Sequence, residues 1–533
     1  MRLRAVLALA LAAALSLAAC GGGGGGTSAP PAGNLATVVP ADVPLFVEGA
    51  VRPQGGLEAA LRSSLGRLLG TPDPGAKIVA AFDRTNRDNH VTYERDLGPW
   101  LGERAGVFVQ SLHANPVGMA QTSDPKTAVE SLRRAAIADG HRPHPSPYRG
   151  VTLEEAGGDS FATVGNLVLT GPTSGVKAGV DASKGSSLAD SAAYQSSLAG
   201  VPSDDVFTAW ADPKRILGAL VSEGQLSSLE ATQARSQLGR LASQPVVVWG
   251  DASPSYLAIE ASGASSAAGA STPSSLLGSL PSDSWLAFAV HETAAQVKRI
   301  FGESSAAASL GARSATFLRA LSRLGLDPAT LSKWVGDVSG FLRGQSILGL
   351  GGALVIQTRD AGASALTLRR IETALRRDPN LVIQSAHSGG GQAGFTLTPR
   401  GAPIQVVFTQ NNGEVVIGLG LDSVHAALSP SQGLSGSSAF KAATAALGSG
   451  ISPQLYLDFQ PLASLFEIPG VITDPQFQQV KPYLARLDYL VAGTGQSGGR
   501  SLVRIALGVR GGRGSSSGNV AARAQPKYAA LQP

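Results

Sequence analysis

Residues 40–51 read PADVPLFVEGAV and residues 281–292 read PSDSWLAFAVHE, 241 positions apart. Each opens on Pro, carries Asp two places on, and runs into an apolar stretch. Three further pairs follow in the same order. DLGPWLGERAGVFV answers LSKWVGDVSGFLRG, with Trp100 facing Trp334 at an offset of 234. SAAYQSSLAGVPSDDVFTAWADPKRIL answers SSAFKAATAALGSGISPQLYLDFQPLASL, with Tyr194 facing Phe440 at 246. PVVVWGDASPSYLAIEA answers DYLVAGTGQSGGRSLVRIALG near 243. Chance supplies one such pair easily; it does not supply four in one order with offsets that drift as loop insertions would make them. The chain reads as two copies of one domain, and 533 residues suit two cores better than one.

Within a copy the periodicity is mixed. Leu45 to Ala50 is a strand-like apolar run. Leu57, Leu61, Leu65 and Leu68 recur at helical spacing, as do Phe317, Leu318, Leu321 and Leu324 in the second copy. Asp124-Pro125 offers a cap and a first-turn proline to the helix TAVESLRRAAIA. VTLEEA, FATVGNLVLTG, IQVVFT and EVVIGLG read as strands, the last two joined by the hairpin signal QNNG. SILGLGGALVIQ, at 346–357, is too short to span a bilayer and reads as a buried strand. The expected fold class is α+β: two tandem, similar copies, each a mainly antiparallel sheet covered by helices on one face. A doubly wound fold is disfavoured because strands and single helices do not alternate. Copy one is placed at 37–261, a small-residue linker at 262–279, copy two at 280–511, and a disordered tail at 512–533.

The chain begins MRLRAVLALALAAALSLAAC, followed by six glycines. Arg2 and Arg4 form a basic n-region and Ala5 to Ala19 an apolar h-region, so residues 1–19 read as a signal peptide. Leu17-Ala18-Ala19-Cys20 resembles the bacterial lipobox at every position. That resemblance implies diacylglycerol on the thiol of Cys20, cleavage before it, and palmitate-type acylation of the new amino terminus. Acyl chains hold a terminus in a bilayer at about 0.8 kcal/mol per buried methylene. Residues 20–36 are then a lipidated cysteine and a flexible Gly-rich tether. The expected location is extracytoplasmic, on the outer face of the cytoplasmic membrane.

Composition bounds the partners. Losing Arg2 and Arg4 takes the formal charge from +5 to +3, and only 5% of residues are aromatic, so no nucleic-acid groove is indicated. Cys20 is the sole cysteine, so the exported body has neither disulfides nor thiol chemistry.

PADVPLFVEGAVRP, LGTPDPGAKIV, YERDLGPWLGERAGVFV and SDSWLAFAV together resemble the bacterial domain-of-unknown-function family 3352. The resemblance covers nearly the whole mature chain and implies secreted or lipid-anchored proteins of actinobacterial type. It carries no reaction, cofactor or catalytic residue with it.

Chemistry-bearing motifs are sparse. Ser438-Ala-Phe-Lys441 fits S-x-x-K, in which a lysine one helical turn away eases deprotonation of a serine. No KTG-like strand follows it. Residues 389–394 and 493–498 satisfy G-x-G-x-x-G, but strands follow them, whereas a phosphate cradle needs a helix; they read as hairpin tips. His141 and His144 have a chelating spacing, yet Pro143, Pro145 and Pro147 exclude a helix there. Glu154-Glu155 and Asp204-Asp205 are expected at strand ends facing water. Trp100 and Trp334 are expected as core anchors. No cofactor or metal is indicated. The expected function is non-catalytic binding of an apolar ligand or an envelope protein by a membrane-anchored body. The alternatives are an envelope serine hydrolase using Ser438 and Lys441, and a purely structural spacer.

Overall fold

A computed structural model describes residues 33–87, 91–112, 116–264, 276–291, 328–346, 349–387, 393–411, 413–465 and 475–511. The leader, Cys20, the 317–324 stripe, the Gly-rich run at 389–392 and the tail lie outside the described residues. The chain divides into two compact units, Met1–Ala270 with Gly495–Pro533, and Ser271–Thr494.

The first unit opens on a 3-10 turn, Leu35–Val38, capped by the Asn34 side chain. There follow β1 (Leu45–Ala50), α1 (Gly55–Leu69), α2 (Pro74–Thr85), a π-helical turn (Tyr93–Leu97), β2 (Leu101–Val109), β3 (Val117–Thr122) and α3 (Pro125–Ala138). Four short strands come next: β4 (His144–Tyr148), β5 (Val151–Ala156), β6 (Asp159–Val164) and β7 (Leu167–Pro172). Then come α4 (Thr173–Lys184), α5 (Ala192–Ser197), β8 (Phe207–Ala211), α6 (Pro213–Ser222), α7 (Ser228–Leu238), β9 (Val246–Ser253) and β10 (Tyr256–Ala264). The strands pair antiparallel in the order β4–β5–β6–β7–β3–β2–β1–β8–β9–β10.

Helices cover both faces of this sheet, not one. Leu167 and Leu169 of β7 enter the cluster of Phe46, Phe108, Tyr194, Trp210 and Trp249. Val168, between them, enters the cluster of Phe82, Trp100, Leu132 and Phe161 on the other face. A strand buried on both sides needs a continuous apolar run, which LVLTG supplies. The fold also starts earlier than residue 37: Leu35 and Ala36 are fully buried in the first cluster, so the tether ends by Gly33.

The second unit holds α8 (Leu276–Ser279), β11 (Ser284–Val290), α9 (Pro328–Trp334), β12 (Val335–Arg343), β13 (Gly351–Thr358), α10 (Ala361–Leu375), β14 (Leu381–His387), β15 (Ala393–Pro399), β16 (Val406–Asn411) and β17 (Glu414–Leu419). It continues through α11 (Leu421–Leu428), α12 (Ser438–Ala445), β18 (Ile451–Asp458), α13 (Phe459–Leu465), α14 (Pro475–Leu484) and β19 (Leu487–Ser497). Its strands pair antiparallel as β14–β15–β16–β17–β13–β12–β11–β18. Trp334, Leu368, Ile371 and Phe395 form a core under α10.

Two boundaries differ from the sequence reading. β10 runs on to Ala264 and α8 begins at Leu276, so ordered backbone occupies both ends of the expected 262–279 linker. The last strand, β20 (Arg500–Val509), belongs to the first unit, because it pairs with β10 from Tyr256↔Gly508 to Ala264↔Arg500.

Candidate functional site

Strand alternation points Phe46, Glu48 and Ala50 to the same face of β1, so a carboxylate enters the first unit's core beside a buried Phe. Arg104 of β2 meets it. Its Nη2 lies 3.5 Å from Glu48 Oε1 and 3.3 Å from Asp205 Oδ2, and its Nη1 donates to the Asp205 carbonyl at 3.2 Å. The Thr208 hydroxyl donates to Asp205 Oδ2 at 2.5 Å. Gly106, opposite Glu48, leaves the room: a Cβ there would come within 2.7 Å of the Val47 carbonyl. Burial pulls the Arg104 pKa down, but Glu48 and Asp205 more than offset it and hold the guanidinium above its ordinary value. The arrangement gathers two carboxylates and the Thr208 hydroxyl on one permanent cation, and it locks a position.

What it locks is the start of the fold. Gln121 Oε1 accepts from the Arg104 amide at 3.0 Å, and Gln121 Nε2 donates to the Gly33 carbonyl at 2.8 Å. Asn34 Oδ1 accepts from the Ala36 amide, and Leu35 packs into the core behind it. The described chain is thus fastened at its first residue.

The expectation that Glu154-Glu155 and Asp204-Asp205 face water is half wrong. Asp204 is exposed, whereas Asp205 is 1% exposed within the cluster above. Glu154 is 6% exposed and takes Arg133 Nη2 of α3 at 2.5 Å; Glu155, half-buried, pairs with Lys177. Inward charges in short strands need partners from other elements, and pairs so distant in sequence leave no local signal.

Ser438 and Lys441 are both exposed on α12, where Ser438 is the first helical residue after the cap Ser437. Among the described residues no hydrogen bond joins their side chains. His144 opens β4, and His141 lies three residues before it, beyond the end of α3. Among the described residues no group of three or more metal-ligating side chains exists. Gly498 and Gly499 form the β19–β20 turn, both at positive φ, so that Gly-rich motif is a hairpin tip. Trp100 and Trp334 are 2% and 3% exposed, each inside a core.

A second feature had no sequence signal. Ile259 of β10 faces Ile505 of β20 across the ladder, with Val503 beside them, and the three are 51%, 45% and 44% exposed. On the opposite face Arg504 binds Glu260 at 2.7 Å and Asp251 at 2.5 Å, both buried or half-buried. The ion cluster pins the strand while its apolar side stays open. Among the described residues no helix is long and apolar enough to cross a membrane.

The family model described as "Protein of unknown function (DUF3352)" matches residues 4–503. The chain belongs to the DUF3352 family. No curated protein matches the chain. Two of the solved structures similar to this DUF3352 chain are crystal forms of TP0453. Form III is 9% identical at a TM-score of 0.24, covering 45% of this chain and 83% of that one. Form I is 8% identical at a TM-score of 0.17, covering 74% and 96%.

Proposed function

We propose that this DUF3352 protein is a lipid-anchored, extracytoplasmic binding protein without catalytic activity. The lipobox at Leu17–Cys20 supports the anchor, and the fastening of Gly33 supports a folded body that begins where the glycine-rich stretch ends. Twelve residues separate Cys20 from Gly33. A flexible chain of that length has a root-mean-square reach of about 20 Å, enough to let the body move off the surface. The observation that carries binding is the half-exposed Ile259–Ile505–Val503 strip, held open by an ion cluster beneath it. Isolated apolar side chains are common on surfaces; a contiguous patch on a pinned sheet marks a contact surface. Native mass spectrometry of protein extracted from its host is expected to show a co-purifying apolar molecule or protein that Ile505→Glu releases. Recovery of the bare chain from both proteins would refute the reading.

We also propose that the units are copies of one domain. The strand orders are the same when ten is added to each label, from β4 through β8 and from β14 through β18. Tyr194 meets Trp210 edge-on at 5.9 Å, and Phe440 meets Tyr456 edge-on at 5.2 Å at the matching places. Asp124 caps α3 while its own amide donates to the Thr122 hydroxyl oxygen; Asp360 caps α10 while its amide donates to that of Thr358. An experimental structure in which these strands fail to superimpose would end the proposal.

For the hydrolase alternative, a serine-reactive probe is expected to leave Ser438 unlabelled, since a nucleophile needs a positioned base and both side chains lie exposed in solvent.

A further inference from the structure

β4 and β14 hold the same place in their units: among the described residues each pairs with one neighbour only, β5 and β15. Their free edges are built differently. The β4–β5 turn is Arg149-Gly150, both at positive φ, so Tyr148 and Val151 form the hydrogen-bonded pair that closes a two-residue hairpin. Alternation then turns Ser146 and His144 inward, and leaves Pro147 and Pro145 at the outward positions. A proline there has no N–H to offer, which is how edge strands are guarded against further pairing.

On β14 the Arg400 amide donates to the Asn380 carbonyl at 2.8 Å, which makes 380 and its alternates Val382, Gln384 and Ala386 the inward set. Leu381, Ile383, Ser385 and His387 therefore aim their backbone groups outward. Two contacts agree: the Leu381 amide donates to Asp378, and Arg376 Nη1 donates to the Ile383 carbonyl at 3.2 Å. No proline stands at these positions, and Gln384 and Ser385 are exposed. Among the described residues, the edge that prolines close in the first unit is open in the second from the Ile383 amide to His387.

We infer that β14 pairs antiparallel with β14 of a second copy of this chain, giving a two-fold dimer centred near Ser385. An outward antiparallel edge is complementary to itself run in the opposite direction: Ser385 and His387 present both a donor and an acceptor, and Ile383 keeps its N–H while its carbonyl is shared with Arg376. The fold already uses like-with-like pairing. Aligned on their hairpin turns, β10 and β20 match at an offset of 244, and they pair antiparallel about Glu260↔Arg504, which are themselves matching positions. The prolines of β4 give the assembly a stop: among the described residues the chain has one open edge of this kind, so pairing closes at two rather than continuing as a filament.

The inference concerns backbone pairing and is independent of acylation. Sedimentation velocity and light scattering on the purified chain carrying Cys20→Ala are expected to give twice the chain mass at tens of micromolar. Ser385→Pro, which copies the guard of Pro145, is expected to halve that mass with unchanged far-ultraviolet circular dichroism. Ser385→Cys in the same background, which needs no disruption of the fold, is expected to yield a reducible covalent dimer. A single-chain mass at every concentration overturns the inference, whether or not a strand of another protein uses the edge. A dimer that survives Ser385→Pro, or a Ser385→Cys chain that fails to cross-link, overturns it as well.

Discussion

Arg104 holds Glu48 and Asp205 inside the first unit, and removing one member of such a set costs far more than removing all of it. Arg104→Met is expected to lower unfolding free energy by about 3–5 kcal/mol, since two buried carboxylates lose their cation. By the strand registers, Ala289 and Ile451 of the second unit stand where Glu48 and Asp205 stand in the first. Combining Glu48→Ala and Asp205→Ile with Arg104→Met is therefore expected to recover most of the loss in urea titrations. A triple variant as unstable as the single one would show that the cluster supports the fold by itself. Trp100→Ala is expected to cost about 3–5 kcal/mol, as a large buried side chain does when it leaves a cavity. The two tryptophans were legible in the sequence because they recur in matching contexts. The triad was not: Arg104 lies 56 positions from Glu48 and 101 from Asp205, and only the fold makes them neighbours.

Elements show the same division between local and distant causes. The cap of α3 was readable from Asp124-Pro125, since every partner lies within three residues. The Thr127 hydroxyl and amide, with the Lys126 amide, hold the Asp124 carboxyl below its usual range. A depressed pKa means that the stabilisation is present in full above the unfolded-state value and is lost as pH falls through the folded one. Amide exchange in the first turn of α3 is therefore expected to quicken below about pH 4. Asp124→Asn should remove that acid step while keeping most of the cap; an unchanged step would assign it to another group. The water-facing reading of Glu154 and Asp205 failed because strand alternation alone does not say which phase is buried when both faces of the sheet are covered. The pairing of β20 was hidden for a related reason: its partner β10 lies about 240 residues earlier, and nothing in RSLVRIALGV names it. Arg504→Glu, which sets a third carboxylate against Glu260 and Asp251, is expected to release β20, read as loss of exchange protection over 500–509. Full protection in that variant would show that the ladder holds without its ion cluster.

At the scale of the whole molecule, the repeated order of four sequence matches made a two-unit α+β chain legible, and the antiparallel sheets follow it. The candidate site was barely legible, because it consists of a buried ion lock and an apolar strip rather than a motif with fixed spacing. The proposed binding body is held to a membrane through one sulfur, so the most direct test is the mass of the mature amino terminus. Peptide mass spectrometry of protein extracted from host membranes is predicted to find Cys20 as the first residue, carrying diacylglycerol, with Cys20→Ala shifting the protein into the medium. A first residue elsewhere, or a bare Cys20 thiol on a protein still held by the membrane, would contradict it.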